Sequence, residues 1–172
     1  MFKRVVFCGS IVIVVMFVPV RAISNSEVVK KEINLDRVVE YVAKKYNVDD
    51  KLIKAIVYVE SGNGRFLIGD RNRQWKYQSY GVMQVKLSTA RFVAGYFKLN
   101  WVNDLSDEQL KDRLLNDNLF NVTIGTLYLK YLMKATGGDV VKAVRAYNRG
   151  LKGKSDNSKY VNKVMKVYNE MR

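Results

Sequence analysis

The sequence predicts a mainly α-helical domain with one short irregular stretch. Three observations carry this expectation. Apolar residues recur at three- and four-residue spacing in most segments after residue 34. Capping side chains and glycine stops bound those segments. A single proline stands in 172 residues, so little interrupts the helices. The exception is about residues 62–85, where glycine, asparagine and basic side chains follow no clear period. That stretch reads as a loop or a small, irregular β-lobe.

The elements follow in order. Leu35, Val38, Val39, Val42 and Tyr46 form the apolar face of a helix over 35–46. Asp49 or Asp50 caps the next helix, whose face is Leu52, Ile53, Ile56 and Val57 and which runs to about Glu60. Gly62 and Gly64 stop it. Ser88 is expected to cap a helix carrying Phe92, Val93, Tyr96 and Phe97. Ser106-Asp107-Glu108-Gln109 is a capping box for a short helix. The longest helix spans 117–135, with Leu119, Val122, Ile124, Leu127, Leu129, Tyr131 and Leu132 as its apolar residues and Gly137-Gly138 after it. Asp139 opens a helix through Tyr147, residues 150–157 are a polar loop, and a last helix covers about 158–170.

The first 34 residues have a different character. Met1-Phe2-Lys3-Arg4 is a basic start, and Val5 to Val18 is an unbroken apolar or small run. Pro19 ends the run, and Val20-Arg21-Ala22 supplies small or tolerated residues at −3 and −1. This pattern predicts a secretory signal peptide over 1–22, cleaved after Ala22, and a polar lead-in over 23–34. The 14-residue run is shorter than the roughly 20 residues that span a bilayer. The alternative is an uncleaved anchor, the only route by which a membrane becomes a partner. Either way the domain over 35–172 is expected to work as an exported protein in the periplasm or cell envelope.

Composition removes whole classes of chemistry. The chain has no histidine, which excludes Ser-His-Asp and Cys-His catalysis and His-ligated metals. Its one cysteine, Cys8, lies in the leader, so the remaining chain has no thiol for a disulfide, a metal or a nucleophile. No metal and no cofactor are expected. Lys and Arg number 30 against 16 acids, a formal net charge of +14 that falls to +11 without Lys3, Arg4 and Arg21. Such a charge favours encounter with polyanions. The basic residues are scattered, so a solvated lysine-rich surface remains an equal reading.

Glu60 stands at the end of Ile53-Lys54-Ala55-Ile56-Val57-Tyr58-Val59. A carboxyl held against apolar walls loses hydration, and its pKa rises. A glycosidic general acid needs that rise in order to hold a proton near neutral pH. Ser61 follows and is placed to orient it. The local sequence by itself fits a glutamate in the last turn facing water better than it fits an acid in a site. Gln84, in Gly81-Val82-Met83-Gln84-Val85, is an amide available to a sugar N-acetyl group or to backbone. Tyr147, in Ala146-Tyr147-Asn148-Arg149-Gly150, offers a phenol and a flat face, or simply a half-buried helix end.

Glu60-Ser61, Gly81-Val82-Met83-Gln84-Val85 with Ser88-Thr89-Ala90, Ala146-Tyr147-Asn148-Arg149-Gly150 and Tyr160-Val161 stand in the order seen in the soluble lytic transglycosylase (SLT) family. Over roughly residues 35–170 the sequence resembles that family. Each motif is weak alone; four in order make a joint signal. The resemblance implies a lysozyme-like fold and cleavage of the β-1,4 bond between N-acetylmuramic acid and N-acetylglucosamine in peptidoglycan glycan strands. It implies that Glu60 protonates the leaving oxygen and then acts as base on the muramic 6-hydroxyl, closing a 1,6-anhydro ring. Neither a water nor a second carboxylate is then needed, unlike the two-carboxylate scheme. By the same match, Ser61, Gly81, Met83 and Gln84 shape the site, Tyr147 and Asn148 support Glu60 or the departing sugar, and Tyr160 backs it from the last helix. Two departures stand out: Leu87 where many members have proline, and Tyr80 where a small residue is common. Segment 62–80, with Arg65, Arg71, Arg73 and Lys76, is also longer and more basic than usual, and either contacts stem-peptide carboxylates or wall polymers or is a solvated loop.

Two other readings compete. Asp70, ten residues after Glu60, is a candidate second carboxylate. If it holds a water, the chain is a muramidase that leaves reducing ends; otherwise it is a turn aspartate. The other is a non-catalytic wall-binding protein that keeps the fold. Nucleic acid is not an expected partner, since no recognition motif accompanies the leader. A monomer is expected, since so large a charge opposes self-association; from size alone, it is expected to open the wall for an envelope secretion or conjugation complex.

Overall fold

The computed structural model describes residues 34–172. The expected signal peptide and all of the lead-in except Asn34 lie outside the described residues. Two helices open the described chain. Helix α1 (Leu35–Tyr46) is capped by Asn34, whose side chain accepts from the Asp36 amide, and α2 (Asp50–Ser61) by Asp49 in the same way. Strands β1 (Ile68–Gly69), β2 (Ser79–Tyr80) and β3 (Val85–Lys86) form an antiparallel sheet in that order, with Ile68 opposite Tyr80 and Tyr80 opposite Val85. A single 3-10 turn, Trp75–Tyr77, lies between β1 and β2.

Six helices follow: α3 (Leu87–Phe97), α4 (Asn100–Asn103), α5 (Asp107–Asn116), α6 (Asn118–Ala135), α7 (Val140–Arg149) and α8 (Ser158–Glu170). The capping box at α5 forms as expected. The Ser106 hydroxyl accepts from the Gln109 amide, and the Gln109 side chain accepts from the Ser106 amide. Asp117 and Asp139 cap α6 and α7.

Helix α6 is the axis of the domain. Every residue from Phe120 to Leu127 is buried, and the helix has no solvent-facing stripe through that stretch. Helices α1, α3, α5 and α7 surround it, while α2 packs between α1 and α8. Mainly helical, with a small three-stranded lobe inserted after α2, this is a lysozyme-like fold.

Three details differ from the sequence reading. Ser88 does not cap α3. Strand β3 runs straight into that helix, Leu87 is its first residue, and Lys86 holds the cap position without a side-chain bond. Leu119, placed on the apolar face of α6, is 42% exposed, because it lies in the first turn before the helix enters the core. The one-turn α4 was not foreseen; four residues carry too little period to read.

Candidate active site

Helix α2 is held by Leu52, Ile53, Ala55, Ile56 and Val57, all buried, so its last turn has a fixed direction. Glu60 sits in that turn. The turn is closed by Ser61, whose hydroxyl donates to the Val57 carbonyl at 3.1 Å and accepts from the Gly64 amide at 2.9 Å. Gly62 follows in the left-handed region and ends the helix.

Glu60 meets α8 at Tyr160. The Tyr160 hydroxyl donates to Glu60 Oε1 at 2.7 Å. Burial pushes the Glu60 carboxyl up from 4.5 to about 7; the Tyr160 hydrogen bond opposes the rise, the Asp70 charge adds to it and the Lys86 charge opposes it. Burial, and then the neighbouring Glu60 charge, push the Tyr160 phenol far above its ordinary range, so it remains a donor. Near neutral pH this pair holds a transferable proton on the carboxyl.

Glu60 opens into a cleft of about 500 Å³. Asp70, Ser79, Gln84, Val85, Lys86 and Thr89 line it from the sheet and the start of α3, and Tyr128, Tyr147, Asn148, Arg149 and Gly150 from the helical body. Lys86 Nζ lies 3.0 Å from Asp70 Oδ2. The Tyr147 hydroxyl donates to the Met83 carbonyl at 3.0 Å, and burial again keeps that phenol protonated. The Asn148 side-chain oxygen accepts from the Asn157 amide at 3.2 Å, and Asn157 also donates to the Arg145 carbonyl.

The turn between β2 and β3 is fixed by one buried amide. Asn121 of α6 donates to the carbonyls of Tyr80 (2.8 Å) and Leu114 (2.9 Å) and accepts from the Met83 amide at 2.8 Å. Gly81 adopts φ +74 beside it, and a Cβ there would collide with the Asn121 side chain and the Leu114 carbonyl. Gly125 of α6 leaves the room that the Met83 side chain fills. Gln84, at φ 49, donates to the Phe66 and Gly81 carbonyls and accepts from the Ser79 hydroxyl at 2.8 Å.

The family model described as the transglycosylase SLT domain matches residues 37–169. The chain belongs to the SLT family. Over 101 residues it is 36% identical to the membrane-bound lytic murein transglycosylase E of Buchnera aphidicola subsp. Acyrthosiphon pisum (strain APS), a match covering 59% of this chain and 40% of that protein. Over 110 residues it is 34% identical to the endo-type membrane-bound lytic murein transglycosylase A of Cronobacter sakazakii (strain ATCC BAA-894), covering 63% of this chain and 48% of that protein. The matches thus span less than half the length of these curated relatives.

Within this SLT domain the structure sorts the residues singled out from sequence. Glu60, Gln84, Tyr147 and Asn148 line one cleft, and Tyr160 touches Glu60. Ser61, Gly81 and Met83 are buried and act on backbone: they fasten the α2 turn and the β2–β3 turn. Asp70 lines the cleft, exposed and paired with Lys86. Tyr80, the unusual residue before Gly81, is buried and its hydroxyl donates to the Trp75 carbonyl at 2.6 Å, bracing the lobe. Sequence reasoning missed Asn121, Lys86 and Tyr128, and it gave Thr89 and Arg149, which stand inside the quoted motifs, no role of their own. An asparagine amid the apolar run of α6 was the one available signal, since a buried amide needs partners. Among the described residues, no group of three or more His, Cys, Asp or Glu side chains is placed to hold a metal ion.

Proposed function

We propose that this SLT domain is a lytic transglycosylase that cleaves the β-1,4 bond between N-acetylmuramic acid and N-acetylglucosamine in peptidoglycan. One observation carries the reading: a carboxyl that holds its proton to about pH 7 lies in a cleft, supported by a phenol that never gives up its own. Glu60 donates its proton to the glycosidic oxygen as the bond to the muramic C1 breaks. The carboxylate so formed accepts the proton of the muramic 6-hydroxyl, whose oxygen bonds to C1 and closes the anhydro ring. Glu60 is protonated again at the end, and no water is consumed.

The surrounding groups have defined tasks in this reading. Tyr160 steadies the Glu60 carboxylate in the middle of the cycle. Tyr147, bonded to the Met83 carbonyl, holds the lobe wall against the helical wall. The Asn148 oxygen is engaged by Asn157, which leaves its NH₂ end for substrate. The Gln84 amide is engaged by backbone, so it shapes the wall rather than gripping a sugar. Both curated relatives are described as membrane-bound, which supports action at the cell envelope.

A second reading rests on Asp70, which shares the cleft with Glu60 and raises its pKa. If Asp70 positions a water, hydrolysis results. Its ion pair with Lys86 favours the first reading, because a cation already occupies the carboxylate oxygen that would have to hold the water. Mass spectrometry of digested peptidoglycan decides between them: anhydro-muropeptides are expected, and products carrying only reducing ends would replace this reading with the muramidase.

A further inference from the structure

A second groove, of about 580 Å³, also reaches Glu60. It runs between the turn after α2 and α8. Tyr58 and Phe66 contribute to its apolar part, and Arg65, Lys163 and Lys166 supply cations; Glu170 lies at its edge. The fold does not use these aromatic faces, since Tyr58 is 51% and Phe66 65% exposed.

The local sequence explains why cations gather here. Tyr160, Lys163 and Val167 stand at i, i+3 and i+7, on one face of α8. Tyr160 is bonded to Glu60, so that face begins at the acid. Lys163 then lies about 4.5 Å and Lys166 about 9 Å further along the helix axis. On the facing side, Gly62, Asn63 and Gly64 are all left-handed and turn the chain back, which presents Arg65 and Phe66 beside the end of α2. Of the three cations, Lys166 has a carboxylate within reach among the described residues, Glu170 at 3.9 Å.

We propose that this groove binds the carboxylates of peptide stems, so that the enzyme prefers strands with charged stems. This rests on the transglycosylase reading of Glu60. The glycan of a stem-bearing strand is itself uncharged, because each substituted lactyl carboxyl is tied up in an amide bond. Three cations beside an apolar surface therefore match a peptide, with aliphatic side chains below and carboxylates at the rim. Of the basic residues in the loop after α2, Arg65 is the one that lines this groove.

The test uses soluble peptidoglycan strands with native stems and the same strands after carbodiimide and ammonia convert stem carboxylates to amides. Wild-type protein is expected to cleave native strands with a kcat/KM roughly five- to tenfold higher, the scale of two or three exposed ion pairs, with the effect in KM. The double variant Lys163→Gln/Lys166→Gln should lose most of that preference while matching wild type on amidated strands. Its pH profile should stay put, because the charges acting on Glu60 are Asp70 and Lys86. Equal wild-type cleavage of both substrates overturns the inference and leaves the transglycosylase reading intact. So does a variant impaired equally on both, or one with a displaced pH profile. A wild-type protein that cleaves neither removes both readings together.

Discussion

Tyr160 donates its hydroxyl to Glu60 across 100 residues of chain, at 2.7 Å. The bond stabilises the ionised carboxylate and so restrains a pKa that burial alone would push higher. Activity that needs a protonated Glu60 should therefore decline as pH rises through about 7, about tenfold per pH unit beyond it. Tyr160→Phe removes the restraint. Its alkaline limb should move up by on the order of one pH unit, the size of a lost bond to a charged group. A kcat/KM profile of both proteins checks this, and an unmoved limb would mean that the bond does not tune Glu60.

Glu60→Gln keeps the shape of the side chain and still accepts from Tyr160, but has no proton to give. Loss of about 10²- to 10⁴-fold in glycan cleavage is expected. Unchanged lysis of purified walls would remove Glu60 as the acid, whereas no lysis by either protein would indicate a wall-binding protein.

The same substitution should alter stability in a pH-dependent way. The Glu60 carboxyl titrates near 4.5 when exposed and near 7 in the fold. Between those values the folded chain binds a proton that the unfolded chain has released, so stability falls as pH rises through the window. The cost reaches about 3 kcal/mol at most above pH 7 and vanishes below pH 4.5. Glu60→Gln should thus be more stable than wild type at pH 8 and equal to it at pH 4. Urea unfolding at the two pH values is the measurement; a gain of the same size at both would assign the effect to packing.

Asp70 raises the Glu60 pKa, and Lys86 lowers it. Asp70→Asn removes the first charge and frees the second, so both changes push the Glu60 pKa down. The alkaline limb should move to lower pH, while activity at pH 5 stays within about fivefold and the products remain anhydro-sugars. A loss beyond about a hundredfold at pH 5 would mark Asp70 as a participant and favour hydrolysis.

Gly81→Ala places a methyl against the Asn121 amide and the Leu114 carbonyl, on a backbone at φ +74. A loss of about 2–4 kcal/mol is expected from backbone and overpacking together. Denaturant unfolding measures it, and a loss under 1 kcal/mol would mean that the β2–β3 turn relaxes easily.

The helices were legible because their signals are local. Ser106 with Gln109, Asp117 and Asp139 each mark a helix start within four residues of sequence, and the buried run of α6 is continuous. Ser88 misled because β3 passes into α3 without a loop, which leaves no cap position for it. The site was legible in part. Glu60, Tyr147 and Tyr160 announce themselves through motifs, but Lys86 and Tyr128 join the cleft only when the lobe folds over α6. Gln84 was read from sequence as an amide available to a sugar or to backbone; the φ of 49 that turns it onto two backbone carbonyls is a tertiary outcome.

Met83 donates its amide to Asn121 and accepts from Tyr147 at its carbonyl. One peptide segment thereby bolts the lobe to the central helix on one side and to α7 on the other. A cleft braced in this manner is expected to act as a fixed gauge, admitting a strand by calibre instead of clasping it with a closing jaw. Hydrogen exchange would register that stiffness as a Met83 amide protected as strongly as the interior of α6.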